Sequence, residues 1–503
     1  MSMWRNFLRW AGTKMIIIAN NNQSLSDLRY IERKIVAWEL SRERIMQLDG
    51  ERYYRGEHDI LKKKRTVIDE NGNPVEIKHL PNNRKIDNQI GKMVDQKKNY
   101  LVGQPITFDC DDESYLEKLN EVFGTKKFHR FIKNLGANCI NGGIAWVYPY
   151  IEDGELKFKR FPAYEILPFW KDTERDSIVM AVRLYLEERV NAANSLDFIK
   201  KVEIYTADGI DYYTFDNNRL TPDPVKPHAP HMTVTSSDKS EGRNWERVPL
   251  IPFKVNASEQ PMLARAKTLQ DAINQLISMA VDGLQEDARN TILVIENYDG
   301  QDLAELRHNI AQYAAIKVRS GDGARGDVRT LQIEFNSENY KAILEIFKKA
   351  LIENCRGYDF SDLKSGSPNQ MNIKSIYSDI DLDANDMETE WAASLEELLW
   401  FYNRFAGIAD DPDVDFIFNR DGVVNETEVL QVLPGLQGIV SKETLVAQVP
   451  FVDDPQAEIE RIKKEEQEAM DAYAGAMPMQ GKPGAPQQQP KKDKPGDVKN
   501  ANK

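Results

Sequence analysis

Cysteine is scarce in this 503-residue chain: Cys110, Cys139 and Cys355 stand far apart, and no CxxC pair occurs. That pattern excludes a disulfide framework and a zinc knuckle, and a reducing setting suits it best. Long apolar runs are missing as well; nothing approaches the ~18 apolar residues of a membrane span. In the opening MWRNFLRWAGTKMIIIAN, the apolar run Met15–Ala19 is too short for a signal-peptide core. Residues 1–25 read as a flexible or partner-ordered lead, with an interfacial amphipathic helix as the alternative. Positive charge is also in deficit. Sixty-six basic residues face 80 acidic ones, a net of −14, so contact with nucleic acid does not rest on a globally basic surface.

Catalytic signatures are lacking too. No GxxxxGK[ST], GxSxG, HExxH or Cys/His spacing occurs. Gly321, Gly323 and Gly326 form a GxGxxG behind a predicted strand, but a dinucleotide site needs a helix to open at the third glycine. DVRTLQIEF follows instead and alternates as a strand, so the motif reads as a loop tip. The embedded Arg325-Gly326-Asp327 comes without an export signal. Asp379, Asp381, Asp383 and Glu390 match positions 1, 3, 5 and 12 of a calcium loop, yet Ala384 stands where the sharp turn wants glycine. A solvated acidic helix face is the better reading. His228 and His231 have no Cys or Glu in ligand spacing, and the acidic run Asp109, Asp111, Asp112 and Glu113 marks a turn. No catalytic residue, metal or cofactor is assigned.

What the chain does have is a helix, a small insert, a second helix, a polar loop and a long third helix. Leu263, Ala266, Leu269, Ile273, Leu276, Ala280 and Leu284 lie at helical spacing, as do Tyr340, Ile343, Phe347, Ala350, Leu351 and Tyr358. Beyond the loop FSDLKSGSPNQMN (360–372), Ile376, Ile380, Ala384, Met387, Trp391, Leu395, Leu398 and Tyr402 continue at steps of three and four. That third helix would be roughly 45–50 Å long. The insert 289–336 reads as a small α/β module: strands in TILVIENY, AAIKVRS and VRTLQIEF, and a helix in LAELRHNIAQY.

Around this block, Leu25 to about Asp49 reads as one helix with Leu28, Ile31, Ile35, Trp38 and Ile45 on a stripe. Asn71-Gly72 reads as a hairpin turn, and Ile86–Tyr100 as a helix ending near Gly103. Residues 142–215 alternate as antiparallel strands with turns at Asp153-Gly154 and Asp208-Gly209, and 217–246 read as a long exposed loop. DVDFIFN (413–419) reads as a lone strand and 426–474 as helical, with Asp454-Pro455 opening the last helix. The tail 475–503 is low-complexity, with six lysines against two aspartates. The length suggests about three domains.

YYRGEHDILKKKR (53–65), NNRKIDNQIGKMVDQKKNYLVGQPITF (82–108), GGIAWVYPYI (142–151), FPAYEILPFW (161–170), RVPLIPF (247–253) and SKETLVAQVPFVDDPQAEIERI (441–462) stand in an order that resembles the portal proteins of tailed double-stranded-DNA bacteriophages. The resemblance is to the long-chain group from siphophages of Gram-positive hosts and leaves out the first 25 residues and the tail. It implies an α+β portal fold: wing in 26–255 and 373–425, stem helices in 256–288 and 337–359, clip in 289–336, tunnel loop in 360–372 and helical crown in 426–474. It further implies a non-enzymatic ring, typically of twelve subunits, at one capsid vertex of the virion, assembled in the host cytoplasm. Implied partners are duplex DNA in the channel, the terminase large subunit, the head-completion adaptor, and the major capsid and scaffolding proteins, with no membrane.

On this resemblance Lys364, Ser365, Gly366, Ser367, Asn369, Gln370, Asn372 and Lys374 belong to the tunnel loop. Arg265 and Lys267 face the stem bore, and Arg307, His308, Arg319, Arg325 and Arg329 form the clip's partner surface. A metal-dependent nuclease using the Asp379–Glu390 carboxylates, or a non-portal head connector, is the alternative.

Overall fold

The structure is a computed structural model. It describes residues 27–69, 72–77, 80–190, 194–236, 239–287, short pieces between 292 and 331, 337–359, 370–409, 411–420, 422, 426–449, 452 and 455–476. The chain divides into two compact units, Met1–Ser367 with Lys374–Val423, and Pro368–Ile373 with Val424–Lys503.

Two helices, α1 (Leu28–Glu39) and α2 (Arg42–Tyr54), replace the single helix expected from Leu25 to Asp49. The Asp27 carboxylate caps α1, and the Ser41 hydroxyl accepts the Arg44 N–H to start α2 afresh. Ile45 therefore leaves the stripe and is exposed. The hairpin β1 (Thr66–Ile68) and β2 (Pro74–Glu76) turns through Gly72 at φ 81°, as the Asn-Gly pair predicts. α3 (Gln89–Val102), capped by Asn88, ends at Gly103.

After β3 (Ile106–Asp109) come α4 (Glu113–Phe123) and α5 (Lys126–Gly142), where residues 114–141 had no assignment above. The acidic run is the entry to α4, where Asp112 accepts the Tyr115 N–H. β4 (Ile144–Glu152) and β5 (Glu155–Pro162) join through Asp153 and Gly154, both at positive φ.

β6 (Ile166–Trp170), β7 (Ile178–Val190), β8 (Leu196–Thr206), β9 (Gly209–Asp216) and β10 (Arg219–Pro222) make an antiparallel sheet, with β11 (His228–Ala229) also on β9. β12 (Met232–Ser236) and β13 (Lys239–Arg243) form a hairpin, and β14 (Ile251–Lys254) pairs with β4. The stretch 217–246 is thus part of the β-structure rather than one long loop, and His231 and Trp245 are buried in it. α1 covers one face of the large sheet with Ile31 and Ile35, and the small sheet covers the other with Trp146 and Phe161.

α6 (Leu263–Asp287) is followed by β15 (Ile292–Glu296), antiparallel to β16 (Asp327–Leu331), and by α7 (Ser337–Asn354), which packs on α6. A strand at 327–331, directly after Gly326, is what the GxGxxG argument requires; Gly321 and Gly323 lie outside the described residues. The 314–320 strand is represented by a bridge from Val318 to Tyr298, and the middle of the 303–313 helix lies largely outside the described residues.

α8 (Gln370–Ala406) has 37 residues, about 55 Å at helical rise and longer than expected. Its C-terminal half is anchored by Trp391 edge-on to Phe253, Phe401 edge-on to Trp245, and the Ser394 hydroxyl donating to the Pro252 carbonyl. β17 (Asp415–Phe418), expected alone, pairs with β3, setting Phe416 opposite Phe108. The second unit contains α9 (Glu426–Leu436), α10 (Lys442–Ala447) and α11 (Pro455–Ala476), which starts at the predicted proline.

Candidate functional site

α6 carries a polar ridge inside its apolar stripe. Gln270, Asn274, Ser278 and Asp282 recur every four residues and are all buried. Chain 83–90 runs antiparallel to the ridge. The N–H groups of Asn83, Lys85 and Asp87 donate to Asp282 (2.7 Å), Ser278 (2.9 Å) and Asn274 (3.0 Å), and Ile90 donates to Gln270 (3.1 Å). Alternate residues of an extended chain advance about 6.6 Å and four helical residues about 6 Å, so the two repeats stay in step. Gln270 returns a bond to the Asp87 carbonyl, and Asn274 donates to His58 Nδ1. His58 Nε2 then donates to the Tyr53 carbonyl, and burial lowers the pKa of this neutral ring.

Arg265 and Lys267, the cations expected at a stem bore, sit beside this ridge. Lys267 bonds the Tyr53 hydroxyl, Asp59 and Asp271. Burial by itself would lower the ammonium, but these partners outweigh it and raise its pKa. Arg265 donates to Asp383 at 2.9 Å. Asp383 also takes Arg356 at 2.8 Å and the buried Lys97. One carboxylate on α8 thereby ties α3, α6 and the end of α7. A phosphate approaching Arg265 or Lys267 meets a cation already satisfied by a carboxylate.

The same junction anchors the start of the segment between α7 and α8 and the body of the helix that follows it. On the entering side, Arg356 turns the chain at φ 50°, and Gly357 packs so closely on Met93 that a Cβ would lie 2.4 Å from its sulfur. Tyr358 then packs on Tyr377, which stacks on Tyr100 with centroids 5.2 Å apart. On the leaving side, Tyr100 donates to Asp381, and Arg420 binds Asp381 and Glu388. Lys364, Ser365, Gly366, Ser367 and Asn369 lie outside the described residues; Gln370 and Asn372 are described as helical backbone, and Lys374 is exposed on the first turn of α8. Of the residues expected on a clip surface, Arg307 and Arg325 lie outside the described residues, Arg329 is in β16, His308 is exposed and Arg319 pairs with Asp299 at 2.7 Å.

The helix also decides the calcium template. Residues 379–390 are helical throughout, so the four carboxylates cannot wrap one point. Asp381 and Asp383 are committed to cations, and Asp379 faces solvent. His228 pairs with Asp211, while His231 Nδ1 accepts the Trp245 N–H, so they do not converge.

A family model described as "Phage portal protein, SPP1 Gp6-like" matches residues 31–472. The chain belongs to this portal family. The portal protein of Bacillus phage SPP1 is 33% identical over 438 residues, covering 85% of this chain and 84% of that one. The portal protein of Clostridium phage phiCD119 is 27% identical over 457 residues, covering 88% and 96%. A solved structure titled as the neck of an empty GTA particle computed with C6 symmetry covers 71% of this chain and 89% of its own, at 11% identity and a TM-score of 0.40. That likeness is too slight to bear on assembly. The mixed helix and sheet architecture is that of a portal, and the family is structural rather than catalytic. Two features of this portal chain escape the sequence reading: the polar ridge, visible only as polar residues four apart within an apolar helix, and the Asp383 junction, whose partners lie up to 286 residues away.

Proposed function

We propose that twelve copies of this portal protein form a ring at one capsid vertex, through which duplex DNA is packaged and later ejected. α6 and α7 act as the stem, 289–336 as the clip, 360–372 as the tunnel loop, 426–474 as the crown, and the remaining folded chain as the wing. The clip docks the terminase large subunit during packaging and the head-completion adaptor afterwards, through the cations at 307–329. The crown and wing meet the capsid and scaffolding proteins during assembly in the host cytoplasm.

The observation that carries this reading is the anchoring of the chain on either side of the segment between α7 and α8. Tyr358 and Arg356 hold its start, and Tyr377 and Asp383 hold the helix that follows it, on packed helices. A short polar segment so held can be offered to a moving ligand without displacing the body. The acidic balance suits a conduit, because each phosphate contact adds a salt-dependent barrier to movement. A ring multiplies −14 by its copy number. Lys364 and Lys374 then supply brief phosphate contacts.

Negative-stain images of the purified full chain are expected to show rings, and phage carrying Lys364→Ala with Lys374→Ala to package shortened DNA. Absence of rings overturns the assembly; full-length DNA in the variant overturns the loop's role. Metal-dependent cleavage of plasmid DNA by the pure protein favours the nuclease reading instead.

A further inference from the structure

A cavity of about 20 Å³ lies between α3, α5, α6, α8 and the chain 255–262 that leads into α6. Leu101, Ile140, Met262, Ile380, Ala384 and Met387 give it apolar walls, and all six are buried. Three charged groups reach the same wall: Lys97, Arg265 and Asp383. Two cations against one carboxylate leave the lining one positive charge in excess. Arg356, outside the lining, adds to that excess because it binds the same carboxylate. Cys355 does not offset it, since burial pushes its thiol up to about 11.

Donors are in excess as well. Lys97 is 8% exposed and carries three N–H groups. Among the described residues, its hydrogen-bond partner is Asp383 alone. Arg265 spends Nη1 on Asp383 and makes no bond through Nε or Nη2. At the more exposed rim, Asn256 accepts the Ser258 hydroxyl and keeps its amide nitrogen available.

A buried ammonium with two idle N–H groups beside an apolar cavity is a costly arrangement. Water would accept from those groups but leave the charge in place. A phosphate or an organic carboxylate would neutralise it but is too large, because the volume is little more than one water needs.

We propose that this cavity binds one monovalent anion of halide size, chloride in the cell, between Lys97 Nζ and the Arg265 guanidinium. The anion neutralises the lining, accepts the idle N–H groups and joins Asp383 in tying α3, α6 and α8 together. Apolar walls favour an anion that gives up its water readily, so chloride and bromide bind ahead of fluoride. The site is complete within one copy and does not depend on assembly.

The test melts the full chain in sodium chloride, sodium bromide and sodium gluconate at one pH and one ionic strength. The two halides are expected to raise the melting point by a few degrees over gluconate, and the rise should saturate with halide concentration. Ala384→Leu fills the cavity and keeps every cation, whereas Lys97→Met removes the main donor. Each should lose the halide-dependent rise, whatever its own melting point in gluconate. Parent crystals soaked in bromide should show an anomalous peak in contact with Lys97 Nζ and Arg265.

Melting points equal in all three salts overturn the proposal, as does a halide rise that persists in either variant. Bromide peaks found only elsewhere on the parent chain overturn it too, even if neither variant folds.

Discussion

Asp383, half-buried, meets three cations at one point: the buried Lys97, Arg265 and the more exposed Arg356. Burial alone would raise its carboxyl, but Lys97 and Arg265 outweigh that and hold it below the usual carboxylate range. Lys97 is pushed down by burial and partly restored by Asp383. Asp383→Ala leaves a buried ammonium beside an arginine, and a loss of about 3 kcal/mol is expected. Asp383→Ala with Lys97→Met should recover most of it, as read by thermal melting and by amide exchange in α6–α8. Equal losses in both variants would show that packing, not charge, sets the effect.

Glu397 lies farther along α8. Burial lifts its carboxyl from 4.5 to about 7, against the pull of Arg247. Between those values the folded chain binds a proton that the unfolded chain releases, so this group's stabilisation falls as pH rises through the window. Glu397→Gln should therefore stabilise the protein at pH 8, by about 1–2 kcal/mol given its partial exposure, and change little at pH 5. A melting shift equal at both pH values would exclude a titrating Glu397.

At the scale of elements, α6 does two jobs with one helical period. Its apolar residues Leu263, Ala266 and Ile273 are buried as the periodicity predicts, while Leu284 is exposed. The ridge Gln270–Asp282 holds residues 83–90 in place of a sheet partner. Removing one rung strands a buried N–H, at about 1–3 kcal/mol. Asn274→Ala is expected to loosen the 83–90 segment enough for trypsin to cut at the exposed Arg84 or Lys85, at a concentration that leaves the parent intact. Unchanged cleavage would show that the remaining rungs suffice.

Local signals made α3, the strands of 144–216 and the α6–α7–α8 order readable: Gly103 as a stop, Asp153-Gly154 as a turn, and alternation in β4 and β5. The α1–α2 break was not readable, because Ser41 interrupts a stripe whose spacing nearly persists. The β17–β3 pair was not readable either, since a four-residue strand carries no mark of a partner some 300 residues away.

For the whole molecule, composition speaks mainly to environment. A net charge of −14, few cysteines and the lack of any described helix long and apolar enough to cross a membrane bear on what the chain meets, not on how it folds. The family motifs between 53 and 462 run through the first unit as far as β14 and through α10 and α11 of the second, so the sequence by itself determined the kind of protein, its element order and most helix and strand periods. Those follow from backbone sterics and side-chain spacing within a few residues of each other. Only the tertiary structure decided which polar groups of α6 meet an extended chain, which carboxylate gathers the cations of α3, α6 and α7, and that Arg265 and Lys267 are already paired. Those outcomes depend on groups hundreds of residues apart arriving at one dry place, where an unpaired charge or N–H costs far more than it does in water.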